Sequence, residues 1–284
     1  MSNSDYWNNR FAEHGHTGYK DKFIYSWDQE VRKKIVGKYI QKHTSNRSNS
    51  KHRILDFGCG VGDFSQMMLE KGFDVTAVDI SKDVVKFIET RFGKDIKAIA
   101  GGRPALEKME GGYSVIFCIT VLQHIEKNND VGNTLDQFYR LLVDNGVLIV
   151  LELSKQEGNA DETGAYLFGR SERSWLSIFD SHKFVVKEMV TYPQTAVKLI
   201  AQIQHFRHVL FPKRKNIEVA ENNRQQSSET PPSSPIRKSV IRVIVKKFMQ
   251  AFVMAIAFVP DKILRTNIYR ESNLPYRLFV LEKR

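Results

Sequence analysis

The chain has 284 residues, of which 42% are hydrophobic and 26% are charged. This composition is ordinary for a folded globular protein, and the length allows one large α/β domain with an insertion. No apolar run approaches the roughly 20 residues that span a bilayer, and MSNSDYWNNRF has no basic-then-apolar secretory pattern, so we expect a cytoplasmic protein.

The net charge of +11 comes from 43 Lys and Arg residues against 32 Asp and Glu residues. Clustered basic residues raise the hypothesis of a nucleic-acid or anionic membrane partner. Most of the excess lies between 197 and 272, away from the alternating part of the chain described next, so the charge alone identifies neither partner.

The predicted elements begin with an amphipathic helix over 27–39 and a polar loop over 44–51. After that loop, strands alternate with helices. Strands are predicted over 52–57, 74–80, 96–100, 113–119, 146–153 and 183–190, and helices over 63–71, 82–92, 134–142 and 173–179. This alternation predicts a mainly parallel sheet with helices on both faces.

The alternation stops after residue 190. Helices are predicted over 197–211 and 240–259, separated by a polar, proline-containing loop over 216–239. We therefore predict four parts: an N-terminal helical cover segment (1–50), a core (51–190), a basic helical insertion (191–274) and a closing strand of the core sheet (275–284). The helix over 240–259 is partly apolar and basic, so peripheral membrane contact, a homodimer face and a cap over a ligand site all remain open.

A glycine-rich turn, LDFGCGVGDFS over 55–65, joins the first predicted strand to a helix. Glycines let the backbone take positive φ and let N–H groups approach a ligand, and the helix that follows offers a partly positive N-terminus. Dinucleotide folds space these glycines G-x-G-x-x-G, whereas Gly58, Gly60 and Gly62 read G-x-G-x-G after Asp56. The spacing therefore disfavours a dinucleotide dehydrogenase.

An acidic residue, Asp79, ends the second predicted strand about twenty residues after the glycine turn. A carboxylate there can accept hydrogen bonds from both hydroxyls of a ribose. In an open parallel sheet, ligands bind outside the carboxyl ends of the strands. The glycine turn, Asp79 and the loops at 100–104 and 119–124 all follow such ends, so we expect them to lie on one rim of the sheet.

With these residues assembled, the chain resembles the class I S-adenosylmethionine-dependent methyltransferases. LDFGCGVGDFS resembles their first motif, VDIS their ribose-binding acidic motif and YSVIFCITVLQHI their fourth-strand motif. The resemblance covers about 54–190, and PYRLFVLEKR resembles the antiparallel seventh strand of the family. It implies a three-layer, Rossmann-like α/β fold: a seven-stranded, mostly parallel sheet with an antiparallel last strand and a helical insertion before it.

The resemblance implies S-adenosyl-L-methionine as the cofactor. Asp56, Gly58 and Gly60 would hold its methionine portion, Asp79 would hold its ribose, and Ile80 would pack on its adenine. The predicted cofactor-binding residues are Asp56, Gly58, Cys59, Gly60, Asp79, Ile80, Gly102 and Ile119.

The chain departs from the family pattern after the third strand. Many members carry an Asp there that binds the adenine amino group, whereas this sequence has AGGRP at 100–104. Backbone contacts at Gly101 and Gly102 are the expected substitute. The two cysteines, Cys59 and Cys118, are expected to be reduced core thiols, and no metal site is predicted because the chain has no zinc-spaced Cys/His cluster.

Methyl transfer from a sulfonium is an in-line displacement, so an enzyme supplies orientation, exclusion of water and, for hydroxyl acceptors, a base. His124 follows the fourth strand on the predicted rim and is the candidate base, with a role in shaping the loop as the alternative. Glu152 near the end of the fifth strand, and His14 and His16 in the cover segment, are further candidates.

The cover segment YWNNRFAEHGHTGY resembles the part of many small-molecule members that helps to cover the cofactor. Its aromatic residues could form an acceptor cage, but packing of the cover is the favoured interpretation. These aromatic residues are Tyr6, Trp7, Phe11 and Tyr19, together with Trp27 at the start of the predicted helix that follows.

The favoured function is methyl transfer to a small molecule, in particular to a hydroxyl of a sugar or secondary metabolite. The alternative acceptor is a lipid or lipid-linked glycan at a membrane surface. A nucleic-acid methyltransferase is disfavoured, because ITVLQH stands where base-amino methyltransferases carry an Asn/Asp-Pro-Pro-aromatic motif. A cofactor-binding module without turnover is the remaining, non-enzymatic hypothesis.

Overall fold

A computed structural model describes residues 2–18, 22–44, 52–155, 167–192 and 276–284. These residues contain a sheet whose strands alternate with helices along the chain. The strands are β1 (Arg53–Phe57), β2 (Asp74–Asp79), β3 (Ile96–Ala100), β4 (Tyr113–Ile119), β5 (Leu142–Lys155), β6 (Arg170–Ser171), β7 (Phe184–Thr191) and β8 (Tyr276–Lys283).

Helices flank the sheet and precede it in the chain. They are α1 (Asn3–His14), α2 (Lys22–Thr44), α3 (Asp63–Glu70), α4 (Lys82–Phe92), α5 (Arg103–Glu107), α6 (Asn128–Leu141) and α7 (Glu172–Ser181), with a 3-10 turn at Leu122–His124. Local signals fix several ends: Ser2 and Asp5 form a capping box at the start of α1, and Ser81 caps α4.

The main sheet has the strand order β3-β2-β1-β4-β5-β8-β7, and the short β6 pairs with the end of β5. Strands β1 to β5 pair in parallel, whereas β8 runs antiparallel to both β5 and β7. This topology confirms the predicted seven-stranded, mostly parallel sheet with an antiparallel last strand. The order reverses between β1 and β4, which places a ligand crevice at their carboxyl ends.

The core lies between the sheet and its helices. Leu55, Ile116 and Leu148 of the central strands are fully buried, as are Trp175 and Phe179 of α7. The central strands are near-continuous apolar runs, as expected for strands that are buried on both faces. Both cysteines are buried, as expected of core residues.

The structure corrects several element boundaries. Helix α2 is ten residues longer than the predicted 27–39 segment, since it spans 23 residues, and α6 begins at Asn128 rather than at 134. Helix α5 and the 3-10 turn were not predicted, because both are too short for a periodic pattern to appear.

The predicted insertion at 191–274, with its loop at 216–239 and its helix at 240–259, lies outside the described residues apart from 191 and 192. Its proposed contacts therefore stay predictions. Among the described helices, none has the length and apolar character needed to cross a bilayer.

Candidate functional site

The glycine turn has the backbone geometry that its spacing indicated. Gly58, Gly60 and Gly62 have φ values of +75°, +50° and +81°, a region that favours glycine. The N–H of Gly58 donates to the carbonyl of Val78 at 2.7 Å, which ties the turn to β2. A Cβ on Gly58 would lie 2.2 Å from Val121 Cγ2, so the turn also requires glycine for close packing.

Two buried carboxylates flank this turn. Asp79 Oδ2 accepts from the N–H of Gly60 and Oδ1 accepts from the N–H of Ser81, both at 2.9 Å. Asp56 accepts from the hydroxyl of Ser65 at 2.6 Å. Burial raises the pKa of Asp56 to about 7, and burial also raises the pKa of Asp79 although hydrogen bonds from backbone N–H groups oppose that shift. Each carboxylate is therefore placed to gain from a bound cation or donor.

The turn at Gly101 and Gly102 completes this side of the rim. Gly101 has a φ of +136°, and its N–H donates to the carbonyl of Asp79 at 2.8 Å. That donor is therefore engaged within the protein, which leaves Gly102 as the better candidate for a backbone contact with adenine. Ile80 lies beside Gly102, with its Cδ1 3.9 Å from the position of a Cβ there.

The turn after β4 is held from within the sheet. Glu152 is fully buried, and its carboxylate accepts from the N–H groups of Val121, Leu122 and Gln123 at 2.8 to 3.0 Å. Burial raises its pKa to about 7. Glu152 is therefore better explained by local pairing than as a group that faces an acceptor, because its side chain anchors the turn and does not line the cavity described below.

His124 ends this turn and faces the cover segment. Its ring packs edge-on against the ring of Trp7, with 4.8 Å between centroids, and Asn3 Nδ2 donates to its carbonyl at 3.4 Å. Tyr6 packs against Trp7 in turn, at 5.0 Å. Phe11 instead packs on Phe87 of α4, as expected for a cover residue. Tyr19 and the side chain of Trp27 lie outside what the structure describes.

Helix α1 is tied to the loop that follows β2. Ser4 Oγ donates to the carbonyl of Ile80 at 3.0 Å, and Ser81 Oγ donates to Asn8 Oδ1 at 2.6 Å. Thr17 reaches the glycine turn, since its Oγ1 lies 2.9 Å from the position of a Cβ on Gly60. These contacts agree with the expected covering role of the N-terminal segment.

His14 and His16 do not line the cavity in the described structure. The ring of His16 stacks on Tyr25 with centroids 4.0 Å apart, and burial lowers its pKa. Tyr25 donates its hydroxyl to Asp63 Oδ2 at 2.8 Å, which links α2 to the start of α3. Both histidines are thus better explained as parts of the cover than as bases.

Helix α2 contributes a buried ion pair that the sequence did not reveal. Arg32 Nε lies 2.7 Å from Asp28 Oδ2, and the two side chains are 8% and 1% exposed. Arg32 Nη1 also donates to Thr120 Oγ1 at 2.9 Å, at the end of β4. An acidic and a basic residue four positions apart are the usual pattern of an exposed helix face, so only the packing shows that this pair is inside.

These features surround one cavity of about 1070 Å³. That volume is at the upper end of the range of roughly 300–1,000 Å³ for small-molecule and cofactor sites, so a cofactor and a second small molecule fit together. The structure brings all the predicted cofactor-binding residues and the candidate base to its wall: Asp56, Gly58, Cys59, Gly60, Asp79, Ile80, Gly102, Ile119 and His124. Residues that the sequence did not single out also line it, including Asp28, Gln29, Arg32, Thr120 and Tyr276.

We call the wall formed by the predicted cofactor-binding residues the cofactor half. The acceptor half is the remaining wall around Trp7, Arg32, Thr120, His124 and Tyr276. No group of three or more His, Cys, Asp or Glu side chains within the described ranges is arranged to hold a metal ion.

Comparison with known proteins gives a consistent picture. The sequence model of a family described as a methyltransferase domain matches residues 29–187. The ubiquinone biosynthesis O-methyltransferase of Caulobacter sp. (strain K31) is 35% identical over 108 residues, which are 36% of this chain and 41% of that protein. The glycine/sarcosine N-methyltransferase of Aphanothece halophytica is 27% identical over 150 residues, 50% of this chain and 56% of that protein.

A solved structure shares the fold. The magnesium protoporphyrin IX methyltransferase of Synechocystis PCC 6803, with bound SAH, superimposes with a TM-score of 0.51 at 19% identity over 66% of this chain and 90% of that one. The chain spans about half the length of the curated relatives that it matches.

Proposed function

Because this chain belongs to the methyltransferase-domain family, within the class I S-adenosylmethionine-dependent methyltransferases, we propose that it transfers a methyl group from S-adenosylmethionine to a small-molecule acceptor. The observation that carries the proposal is a cavity whose wall includes the glycine turn, Asp79 and His124 together. One wall suits a nucleoside-containing cofactor, and the other has room for an acceptor.

The cofactor half fits the proposed cofactor. Gly58 and Gly60 allow the positive φ values that shape the turn, and both line the cavity. The Asp79 carboxylate has about four lone-pair sites, of which backbone N–H groups such as those of Gly60 and Ser81 occupy some, and it can still accept from a ribose hydroxyl. Asp56 is buried beside the turn, where the ammonium group of a methionine portion would hold it in the charged form.

S-adenosylmethionine supplies an electrophilic methyl group on a sulfonium, so the protein has little covalent chemistry to perform. The chain's own part is to align the acceptor, exclude water and accept a proton. Helix α1 and Thr17 cover the cavity from the N-terminal side, which serves the exclusion of water.

For the acceptor we propose a hydroxyl of a sugar or secondary metabolite, with His124 as the base. The half-buried rings of Tyr6 and Trp7 offer an apolar surface for the body of such a molecule, and His124 lies against Trp7. A ring nitrogen of His124 would accept the proton of the acceptor hydroxyl, and the bound cofactor would supply the methyl group and keep the electron pair of the broken carbon–sulfur bond. An acceptor at a membrane surface would depend on the segment 240–259, and no described residue favours it.

The first experiment is calorimetric titration of the protein with S-adenosylhomocysteine and, in parallel, with NAD. We expect micromolar binding of S-adenosylhomocysteine only. Asp79→Ala removes a charge-assisted hydrogen bond to the ribose, worth about 1.5–3 kcal/mol, so the affinity for S-adenosylhomocysteine should fall roughly 10- to 100-fold. Asp74→Ala is the matched control, because Asp74 is exposed at the other end of the same strand.

Binding of NAD, or binding of neither compound, would contradict the proposal. Equal affinity of Asp79→Ala and wild type would refute the ribose assignment, and thermal unfolding of the same samples excludes a folding defect. The acceptor class is then screened with isotopically labelled S-adenosylmethionine against alkyl glycosides, phenols and small amines.

A further inference from the structure

The buried ion pair of α2 lies in the wall of the acceptor half. Asp28 also accepts from the hydroxyl of Tyr192 at 2.6 Å, and the guanidinium of Arg32 lies 5.8 Å from the ring centres of both Tyr192 and Tyr276. A buried ion pair is costly to desolvate and contributes little net stability compared with apolar packing. Its place in a cavity wall therefore calls for a role other than stability.

Thr120, which accepts a hydrogen bond from Arg32, has an unusual backbone conformation. Its φ is +58°, in the left-handed region that costs an L-residue about 1–2 kcal/mol and that β-branched residues rarely adopt. Thr120 donates its N–H to the carbonyl of Leu151 and its hydroxyl to the carbonyl of Ile119, both at 2.7 Å. The hydroxyl also accepts from Arg32. Strained residues of this kind persist where the surroundings hold them in place, and they concentrate at functional sites.

The chain that follows Thr120 is rigidly connected to it. Glu152 accepts three successive N–H groups of residues 121–123, and Gln123 Oε1 accepts from the N–H of Leu153 at 2.9 Å. Because the chain enters this turn through Thr120, a change of φ there would strain these hydrogen bonds to β5 and displace the turn. His124 would move with it, and so would the geometry of any acceptor held against it.

We propose that Arg32 is a positioning residue: through the hydroxyl of Thr120 it holds the turn after β4 and so sets the shape of the acceptor half, but not of the cofactor half. This inference rests on the proposed methyl-transfer function for its catalytic consequence. Asp28 keeps the guanidinium in place, so α2 of the N-terminal segment and the end of β4 act together. Apart from Ile119, the residues of the cofactor half follow the ends of β1, β2 and β3 instead.

The test compares three variants. Thr120→Val keeps the shape and the β-branch but removes the hydroxyl, and Arg32→Lys keeps a charge opposite Asp28 but shortens the reach and removes the planar fork. Thr120→Asn is the rescue, because asparagine tolerates the left-handed region and its amide oxygen can accept from Arg32. Lys33→Met on the same helix is the control, since Lys33 pairs only with Glu30 among its described ion pairs and does not line the cavity.

Two readouts do not require a known acceptor. Hydrogen–deuterium exchange of the peptide containing 119–124 should rise at least threefold in Thr120→Val and Arg32→Lys, and stay near wild type in Thr120→Asn and Lys33→Met. The Kd for S-adenosylhomocysteine should stay within about threefold in all four. With the acceptor from the screen above, kcat should fall about 10- to 100-fold in the first two variants, since small misplacements of a reacting group have effects of this size.

Exchange that rises equally in peptides of β1 and β4 would show a general loss of stability and overturn the proposal. So would a parallel loss of S-adenosylhomocysteine affinity, or an unchanged kcat in Arg32→Lys and Thr120→Val. Failure of the wild type to bind S-adenosylhomocysteine would refute the proposed function instead, while the exchange data would still decide whether Arg32 holds the turn.

Discussion

Replacing Gly58 by alanine should destabilise the protein through two separable effects. The first is conformational, because Gly58 has a φ of +75°. The second is steric, because the added Cβ would lie 2.2 Å from Cγ2 and 2.9 Å from Cγ1 of Val121, closer than carbon atoms approach in proteins. The glycine turn or the turn after β4 must therefore move, and the cavity wall lies between them.

The expected loss is the sum of these effects. A left-handed L-residue costs about 1–2 kcal/mol, and overpacking of a core contact costs about 1–3 kcal/mol, which together predict a loss of about 2–5 kcal/mol. Gly72→Ala is the matched control: Gly72 has a φ of +84°, but nothing lies within 4 Å of an added Cβ. That variant should lose only the conformational part, about 1–2 kcal/mol.

Urea unfolding of both variants measures the difference, and calorimetry with S-adenosylhomocysteine shows whether the shift reaches the cofactor half. Binding should weaken in Gly58→Ala and not in Gly72→Ala. Adding Val121→Ala to Gly58→Ala should recover the steric part only. If Gly58→Ala and Gly72→Ala lose the same stability, the close packing between the two turns is not what requires glycine at position 58.

Two further predictions concern groups that can gain or lose a proton. Burial raises the pKa of Glu152 to about 7. The folded state therefore binds more protons than the unfolded state between about pH 4 and pH 7. The stability that this group contributes is lost as the pH rises through that range. Glu152→Gln should flatten the pH dependence of the unfolding free energy there, as measured by urea titrations at pH 5 and pH 8; an unchanged slope would contradict the assignment. His124→Asn should lower kcat for a hydroxyl acceptor by about 10²- to 10⁴-fold without changing the Kd of S-adenosylhomocysteine. A kcat near that of wild type would show that His124 only shapes the loop.

The fold was predictable because its signals are local. The alternation of apolar strands with amphipathic helices needs only neighbouring residues, and the strands at 96–100 and 113–119 appear with their predicted bounds. The cofactor half was accessible for the same reason. Positive φ at Gly58 and Gly60 and an acidic residue at the end of the next strand are requirements that a short stretch of sequence displays.

The acceptor half was not predictable, because its key contacts join distant parts of the chain. Asp28 and Arg32 have the spacing of an exposed helix pair, and only the packing of α2 buries them. Thr120 carries no sign of its left-handed conformation, and its hydrogen-bond donor Arg32 is 88 residues away in sequence. Glu152 did offer a signal, since a charged residue within an apolar strand needs partners, but the three N–H groups that it binds could not be identified.

The two buried carboxylates with a pKa of about 7 show why burial alone does not identify a functional group. Glu152 is engaged by three backbone N–H groups and does not line the cavity, so its carboxylate serves the shape of the turn. Asp56 accepts from the hydroxyl of Ser65 and lines the cofactor half. A bound cation can change the charge of Asp56 but cannot reach Glu152. The same shift in pKa therefore reports an anchor in one case and a ligand-responsive group in the other, and the partners of each carboxylate distinguish them.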